Sequence, residues 1–517
     1  MSELGFWNLA QAEPDKLALI DPQENLWTRG QLLSECNQMV HGFRSMGLQV
    51  GDTVAIIMPN CKEFLVTYLA CAQAGFYLVP INWHLAGPEV AYILADSEAK
   101  AFISHEKVAA TAKTAVAEAG FPIDRAFSIG AIDGFTPLSE FLAKQVDSMP
   151  DDMTCGAVMN YTSGTTGRPK GVKRALAGID PNIMGELYAS FLMMFGIQAH
   201  DNNVHFTGSP LYHTAVLVWA GNSLHLGHSI VLVEKWDAED MLRLIDKYQV
   251  TTSHMVPTQF VRALKLPQET RDKYDCSSTR HMIHAAAPCP PEIKKSMIEW
   301  WGPSIYEYYA ATEGGGTLVT PQEWLQYPGT VGKAWPGAEI KIFDDEGQEL
   351  PVGETGTVYM LLQDAQKFEY KGDKAKTDKE RLGNYFTVGD VGYLNEEGYL
   401  FLCDRKIDMI ISGGANIYPA EIESELILHP SVADCTVFGI PNEDWGEEIK
   451  AVVQTVAGVD SDEALSADIM SFLERRIARM KLPRTIDYMA ELPRDENGKL
   501  YKRRLKDPYW QGHEKNV

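Results

Sequence analysis

The run Tyr161-Thr162-Ser163-Gly164-Thr165-Thr166-Gly167-Arg168-Pro169-Lys170-Gly171 concentrates the groups that a phosphate chain needs. Its glycines permit tight turns that bring backbone N–H groups close to a ligand. The hydroxyls of Ser163, Thr165 and Thr166 add donors, and the Lys170 ammonium can offset charge on the outer phosphates. The spacing differs from the GxxxxGKS/T pattern, because Arg168 and Pro169 separate Gly167 from Lys170. On residue chemistry alone two readings stand. One is a phosphate cradle; the other is a hydroxyl-rich surface turn with a solvated lysine.

Regular elements must hold the ends of such a loop. Residues 52–58, DTVAIIM, read as a buried strand closed by a Pro-Asn turn, and Glu63 to Ala74 carries apolar residues at helical spacing. SIVLV at 229–233 reads as another strand. Asp237 is placed to cap a helix whose Met241, Leu242, Ile245 and Tyr248 share one face. Strands alternating with helices of this length predict layered α/β architecture. YLNEEGYLFLCD at 393–404 reads as a hairpin, with a domain boundary near residue 404. Beyond it, Pro419 opens a helix with Glu421 and Glu423 early and Ile422 and Leu426 on its buried face. Residues 449–456 predict a strand. Ser466 is a candidate cap for a helix carrying Ile469, Phe472, Leu473, Ile477 and Met480. The chain thus divides into 1–404, layered α/β, and 405–517, a small α+β unit.

Composition narrows the function classes. At roughly 150 residues per domain, 517 residues suggest three or four units. Lys and Arg number 46 against 70 Asp and Glu, a formal charge of −24, which opposes nonspecific nucleic-acid binding while leaving room for a small basic pocket. Cys36, Cys61, Cys71, Cys155, Cys276, Cys289, Cys403 and Cys435 form no CxxC pair, as expected of reduced cysteines in a cytoplasmic protein. The start, MSELGFWNLA, lacks the pattern of a signal peptide, and no apolar run is long enough to predict a transmembrane segment.

Five segments in order resemble the adenylate-forming enzymes, the family of acyl-CoA synthetases and other AMP-dependent synthetases and ligases. They are YTSGTTGRPKG at 161–171, YYAATEG at 308–314, YFTVGD at 385–390, DRKIDMIISGGANIYPAEIE at 404–423 and PRDENGKLYKR at 493–503. The resemblance covers most of the chain. It implies a large N-terminal adenylate-forming domain, a small mobile C-terminal lid, and ATP, Mg²⁺ and coenzyme A as cofactors.

Residue roles follow from the same resemblance. Thr162, Ser163, Gly164, Thr165, Thr166, Gly167 and Lys170 would bind the phosphates, and Ala286, Ala287 and Pro288 the adenine edge after His284. The ring of Tyr309 would pack on adenine, Thr312 would approach the α-phosphate, and Glu313 would hold Mg²⁺, a hard cation that takes oxygen ligands. Asp390 would accept the ribose hydroxyls, with Arg405 beside it. Lys499 is the expected adenylation lysine, its charge stabilising the transition state at the α-phosphate. Gly413 and Gly414 would admit the pantetheine arm of CoA. Where relatives place an Asp or Lys hinge residue, this chain has Ile407 between Lys406 and Asp408.

The acid would lie near His213, which would orient it or gate the site, a buried structural histidine being the competing reading. Val216, Trp219 and Met255 suit an apolar acyl body, and Gly314–Gly316 leave space for a long or wide one. The expected reaction joins a hydrophobic monocarboxylate, a medium- or long-chain fatty or bulky alicyclic acid, to CoA. The alternatives are an aryl-acid CoA ligase, an enzyme loading a carrier protein, and a nonenzymatic nucleotide sensor. A homodimer is compatible with the sequence, which does not specify one.

Overall fold

The computed structural model describes residues 3–162, 169–311, 314–361, 369–370, 381–494 and 498–511. The chain forms two compact units rather than the three or four that length suggests. One comprises Met1–Met255, Gln268–Met282 and Gln366–Lys379; the other comprises Val256–Pro267, Ile283–Ala365 and Glu380–Val517. Long-range strand pairing explains the small number. Leu17–Ile20, for example, lies parallel to Ser229–Leu232 in the first unit.

The first unit contains a parallel six-stranded sheet in the order Thr136–Pro137, Ala126–Ile129, Ala99–His105, Thr53–Ile57, Tyr77–Ile81, Ala157–Val158. An inner parallel strand is covered on both faces, so Thr53–Ile57 reads TVAII without polar alternation, and every residue in it is buried. Helix Lys62–Ala74 follows and ends at Gly75 in a left-handed cap. Behind the sheet, the Phe43 ring packs against Phe76, Phe127 and Phe141 at centroid distances of 6.2, 6.3 and 6.3 Å. Truncating such a buried ring to Ala costs about 3–5 kcal/mol.

A second sheet of this unit runs Thr252–Met255, Val204–Thr207, Ser229–Leu232, Leu17–Ile20, parallel throughout, with Leu26–Thr28 antiparallel beyond. Helix Ala238–Tyr248 is capped as expected, Asp237 Oδ1 accepting from the Asp240 N–H at 2.9 Å. The strands flanking residues 163–168, Asn160–Thr162 and Lys170–Lys173, pair antiparallel with Lys170 opposite Thr162.

In the second unit, Ile305–Ala311, Gly314–Val319 and Lys333–Ala334 are antiparallel neighbours. A separate sheet contains the expected hairpin, Asp390–Leu394 with Leu400–Arg405, beside Gly356–Leu361. The C-terminal part is α+β. The long hairpin Val432–Asn442 and Gly446–Thr455 joins Ile410–Ser412, Ala415–Ile417 and the parallel strand Thr485–Tyr488. Helix Pro419–Leu426 buries Ile422 and Leu426.

One expected cap is misplaced. Helix Glu463–Glu474 starts from Asp462, whose carboxylate accepts from the Leu465 N–H at 2.8 Å, so Ser466 lies inside the helix. Asp462 has the extended backbone that an N-cap needs, and its carboxylate faces the positive end of the helix. Ile469 and Leu473 are buried as expected, whereas Ile477 and Met480 fall beyond the helix end. The class is α/β and α+β. All eight cysteines are free, and no helix among the described residues is long and apolar enough to cross a membrane.

Candidate active site

Tyr309, Asp390 and Arg405 meet in the second unit. Strand register sets Asp390 opposite Arg405, with Arg405 Nε 3.6 Å from Asp390 Oδ1. The Tyr309 hydroxyl donates to Asp390 Oδ2 at 2.6 Å. Burial, with the Asp390 charge beside it, pushes the Tyr309 phenol well above its ordinary range, so it stays a protonated donor. The two carboxylate oxygens therefore face different partners. Oδ2 is engaged by tyrosine, while Oδ1 lies toward the guanidinium.

The segment Ala285–Pro288 leaves strand His281–His284. Ala285 is buried, Ala286 and Pro288 are exposed, and Ala287 is half-buried. Ala286 takes φ 73°, a left-handed conformation that costs a residue with a Cβ about 1–2 kcal/mol. Beside this turn lies a charged cluster absent from the sequence expectations. The buried Lys294 donates to Glu307 Oε2 at 2.6 Å, and His284 Nε2 lies 3.5 Å from the same oxygen. Burial pushes the Lys294 ammonium down and the Glu307 carboxyl up, each opposed by the attraction between them. A signal for it exists in the sequence. Lys294 takes a position on the apolar face of helix Pro291–Trp301, alongside Ile293, Met297, Ile298 and Trp301.

Lys499 is exposed, and its neighbours are tightly held. Gly498 has φ 76°, and a Cβ there would come within 2.7 Å of Thr258 Oγ1. Arg494 donates to Asp434 through Nε at 2.6 Å and Nη2 at 2.9 Å, and to the Gly498 carbonyl at 2.8 Å. At Gly413 a Cβ would come within 2.6 Å of the Trp445 ring, whereas Gly414 borders open space. At the hinge position, Ile407 is exposed; its neighbour Lys406 forms an ion pair with Asp345.

The expected space at the glycines after Glu313 is not found at two of them. A Cβ at Gly315 would approach Met360 to 2.8 Å, and one at Gly316 would collide with the Trp335 indole and the Tyr309 carbonyl. At these two glycines neighbouring side chains and backbone occupy the place where a Cβ would stand.

In the first unit, Tyr161 donates to Asp96 Oδ2 at 2.6 Å. His213 takes the N-cap position of helix Thr214–His225, its ring centroid 4.4 Å from that of Tyr212. Val216, Trp219 and Met255 are buried. Trp219 packs against Phe191 at 5.6 Å and Phe195 at 5.0 Å, and against the rings of His205 and His254. Burial pushes both histidines down to about 3, which keeps this cluster uncharged. Ser163, Gly164, Thr165, Thr166, Gly167, Thr312 and Glu313, and the side chain of Thr162, lie outside the described residues. Among the described residues, no group of three or more His, Cys, Asp or Glu is arranged to hold a metal ion.

Residues 6–361 match the family model for the AMP-binding enzyme, and residues 421–499 match that for the AMP-binding enzyme C-terminal domain. The fatty acid–[acyl-carrier-protein] ligase ScoC of Streptomyces coeruleorubidus is 30% identical over 97% of this chain and 95% of its own length. A 2-succinylbenzoate–CoA ligase of Bacillus licheniformis is 31% identical over 96% of this chain and 98% of its own. Among solved structures, the anthranilate CoA ligase AuaEII in complex with anthranoyl-AMP superposes with a TM-score of 0.85 at 25% identity, covering 98% of each chain.

Proposed function

The chain belongs to the AMP-binding enzyme family, and from that premise we propose that it joins an aromatic carboxylic acid to coenzyme A. At the coarser level it is an ATP-dependent, AMP-forming acid–thiol ligase acting on a carboxylic acid through an acyl adenylate. The observation that carries the finer reading is the Trp335 indole closed against Gly316, next to Tyr309. A flat aromatic wall favours a flat acid, since ring stacking adds about 0.5–1.5 kcal/mol beyond area burial. The aliphatic or alicyclic acid expected from open glycines gives way to the aryl alternative. The likeness to ligases of 2-succinylbenzoate and anthranilate supports the same choice.

The residues divide the work as follows. Asp390 accepts the ribose hydroxyls while Tyr309 holds one of its oxygens and offers its ring to adenine. Ala286, Ala287 and Pro288 meet the edge of the base. Lys170 and the hydroxyls and amides of residues 162–167 bind the phosphates, with Thr312 near the α-phosphate. Glu313 would hold Mg²⁺, which would offset phosphate charge. His213 orients the acid. A carboxylate is already ionised at pH 7, so its oxygen needs no base to attack the α-phosphate. As pyrophosphate leaves, Lys499 stabilises the charge that shifts onto the leaving oxygens. In the second half a thiolate of CoA attacks the acyl carbon, the carbon–oxygen bond to AMP breaks, and AMP leaves with the electron pair. Gly413 and Gly414 flank the pantetheine path. With these roles the large domain ends and the lid begins at 404/405, between the last two residues of strand Leu400–Arg405.

The test is acid-dependent pyrophosphate release with benzoate, anthranilate, cinnamate, octanoate and palmitate, with and without CoA, and mass identification of the thioester. Faster turnover of the aryl acids with CoA consumption supports the reading; preference for octanoate or palmitate overturns its substrate class. The likeness to ScoC favours a second reading, transfer to a carrier protein. Adenylate formation that leaves CoA unconsumed would point there.

A further inference from the structure

Lys499 projects from a segment anchored on both sides. Tyr501 donates its N–H to the Pro493 carbonyl at 2.9 Å, and Arg494 and Leu500 form an antiparallel bridge. The described stretches on either side of residues 495–497 each carry a cation that is spent inward. On one side, Arg494 forks onto both oxygens of Asp434 in strand Val432–Asn442, and its Nη2 also reaches the Cys435 carbonyl at 3.3 Å. Its remaining Nη1 donates to the Gly498 carbonyl, the acceptor half of the peptide that leads into Lys499. On the other side, Lys502 lies 2.9 Å from Glu423 Oε1 in helix Pro419–Leu426. That single oxygen also accepts from Thr436 Oγ1 at 2.9 Å and from the Val437 N–H at 2.7 Å.

We propose that Arg494 and Lys502 are positioning residues for the adenylation lysine, two charged clamps that fix the peptide from which Lys499 projects. An exposed lysine has four rotatable bonds and reaches the α-phosphate productively only if its backbone is aimed, which is where remote misplacement costs rate. A planar guanidinium bonded at three of its nitrogens aims a peptide; a lysine at 494 could not reproduce the fork. Glu423 is equipped to keep its charge. Burial alone would raise its carboxyl, but Lys502 and the two other donors hold it below the ordinary range. The second clamp also reaches the end of strand Leu400–Arg405. Asp404, whose charge acts on Lys502, accepts from the Ala420 N–H at 2.9 Å in the first turn of the helix that carries Glu423. The aim of Lys499 is therefore tied to the start of the C-terminal α+β part.

This inference rests on the reading of Lys499 as the adenylation lysine. The experiment compares Lys499→Ala, Arg494→Lys, Lys502→Met and Lys502→Arg in two assays, using the fastest acid of the panel. One is acid-dependent pyrophosphate exchange; the other is CoA transfer from the synthetic adenylate of that acid, which omits the first half-reaction. Arg494→Lys and Lys502→Met should lower the exchange rate constant by about tenfold or more, with the KM for ATP and the CoA-transfer rate within about twofold of the parent. Lys502→Arg should recover most of the loss. A parallel fall in both assays would show a purely structural role and overturn the inference. So would unchanged exchange in Arg494→Lys and Lys502→Met beside a crippled Lys499→Ala. Near-normal exchange by Lys499→Ala would instead overturn the reading of that lysine, and the inference with it.

Discussion

The Tyr309 hydroxyl and Asp390 Oδ2 are bonded at 2.6 Å although 81 residues separate them in sequence. With the proposed roles, the bond would give one side chain two tasks. Its ring can face a base, while its hydroxyl fixes the carboxylate that would meet the sugar. Removing only the hydroxyl should separate them. Tyr309→Phe keeps the ring and loses a bond to a charged acceptor, about 1.5 kcal/mol, so the KM for ATP should rise roughly tenfold with kcat little changed. Asp390→Ala should be worse. Pyrophosphate exchange over a range of ATP concentrations checks both, and an unchanged KM in Tyr309→Phe would detach the tyrosine from nucleotide binding.

Gly316 offers a test of the aromatic wall. A methyl group there has no room beside Trp335 and the Tyr309 carbonyl, so Gly316→Ala must displace the indole. Overpacking of this kind costs about 1–3 kcal/mol. The expected outcome is a roughly tenfold or greater rise in KM for the aryl acid, with ATP binding by calorimetry retained. An acid KM that stays put while the protein remains folded would remove Trp335 from the substrate wall.

The legible parts of the molecule are those written in short-range patterns. Asp237 before an amphipathic helix, the apolar strand Thr53–Ile57 and the hairpin ending at Arg405 are all readable because cap, period and turn lie within a few residues of one another. The cap expected at Ser466 falls instead at Asp462, since both are good caps and only the backbone chooses between them. Side-chain partnerships are not legible. Nothing near Lys502 announces Glu423, and Gly316 looks the same in sequence whether it leaves space or admits a neighbour. Motif spacing nominates residues for the proposed chemistry; the pairs that orient them require the fold.

The aromatic cluster around Trp219 makes a pH prediction. His254 is fully enclosed, and burial holds its folded pKa near 3, below the ordinary value of about 6.5. As pH falls below 6.5 the unfolded chain takes up a proton that the folded chain refuses. Stability is therefore fully present above that value and is lost as pH falls toward 3. From pH 7 to pH 5 the loss from this one residue is about 2 kcal/mol. Urea unfolding at both pH values should show His254→Gln losing less than the parent by that amount. Equal losses would mean that His254 accepts its proton in the folded state.

Lys294 and Glu307 form an ion pair in which the lysine is wholly buried, so an uncompensated charge would cost more than a lost contact. Lys294→Met leaves the Glu307 carboxylate desolvated with the 3.5 Å His284 contact in place of the ammonium, and should destabilise by about 3–5 kcal/mol. Removing both charges avoids that penalty, so Lys294→Met with Glu307→Leu should recover most of the loss in the same unfolding measurement. Glu307 lies two residues before Tyr309 on one strand, and His284 directly precedes the Ala285–Pro288 turn. If the pair also sets the spacing of these two segments, the double variant should be stable yet bind ATP several-fold more weakly. A stable double variant with parental ATP affinity would confine the pair to folding, and a double variant as unstable as Lys294→Met would show that packing, not charge, is what the lysine supplies.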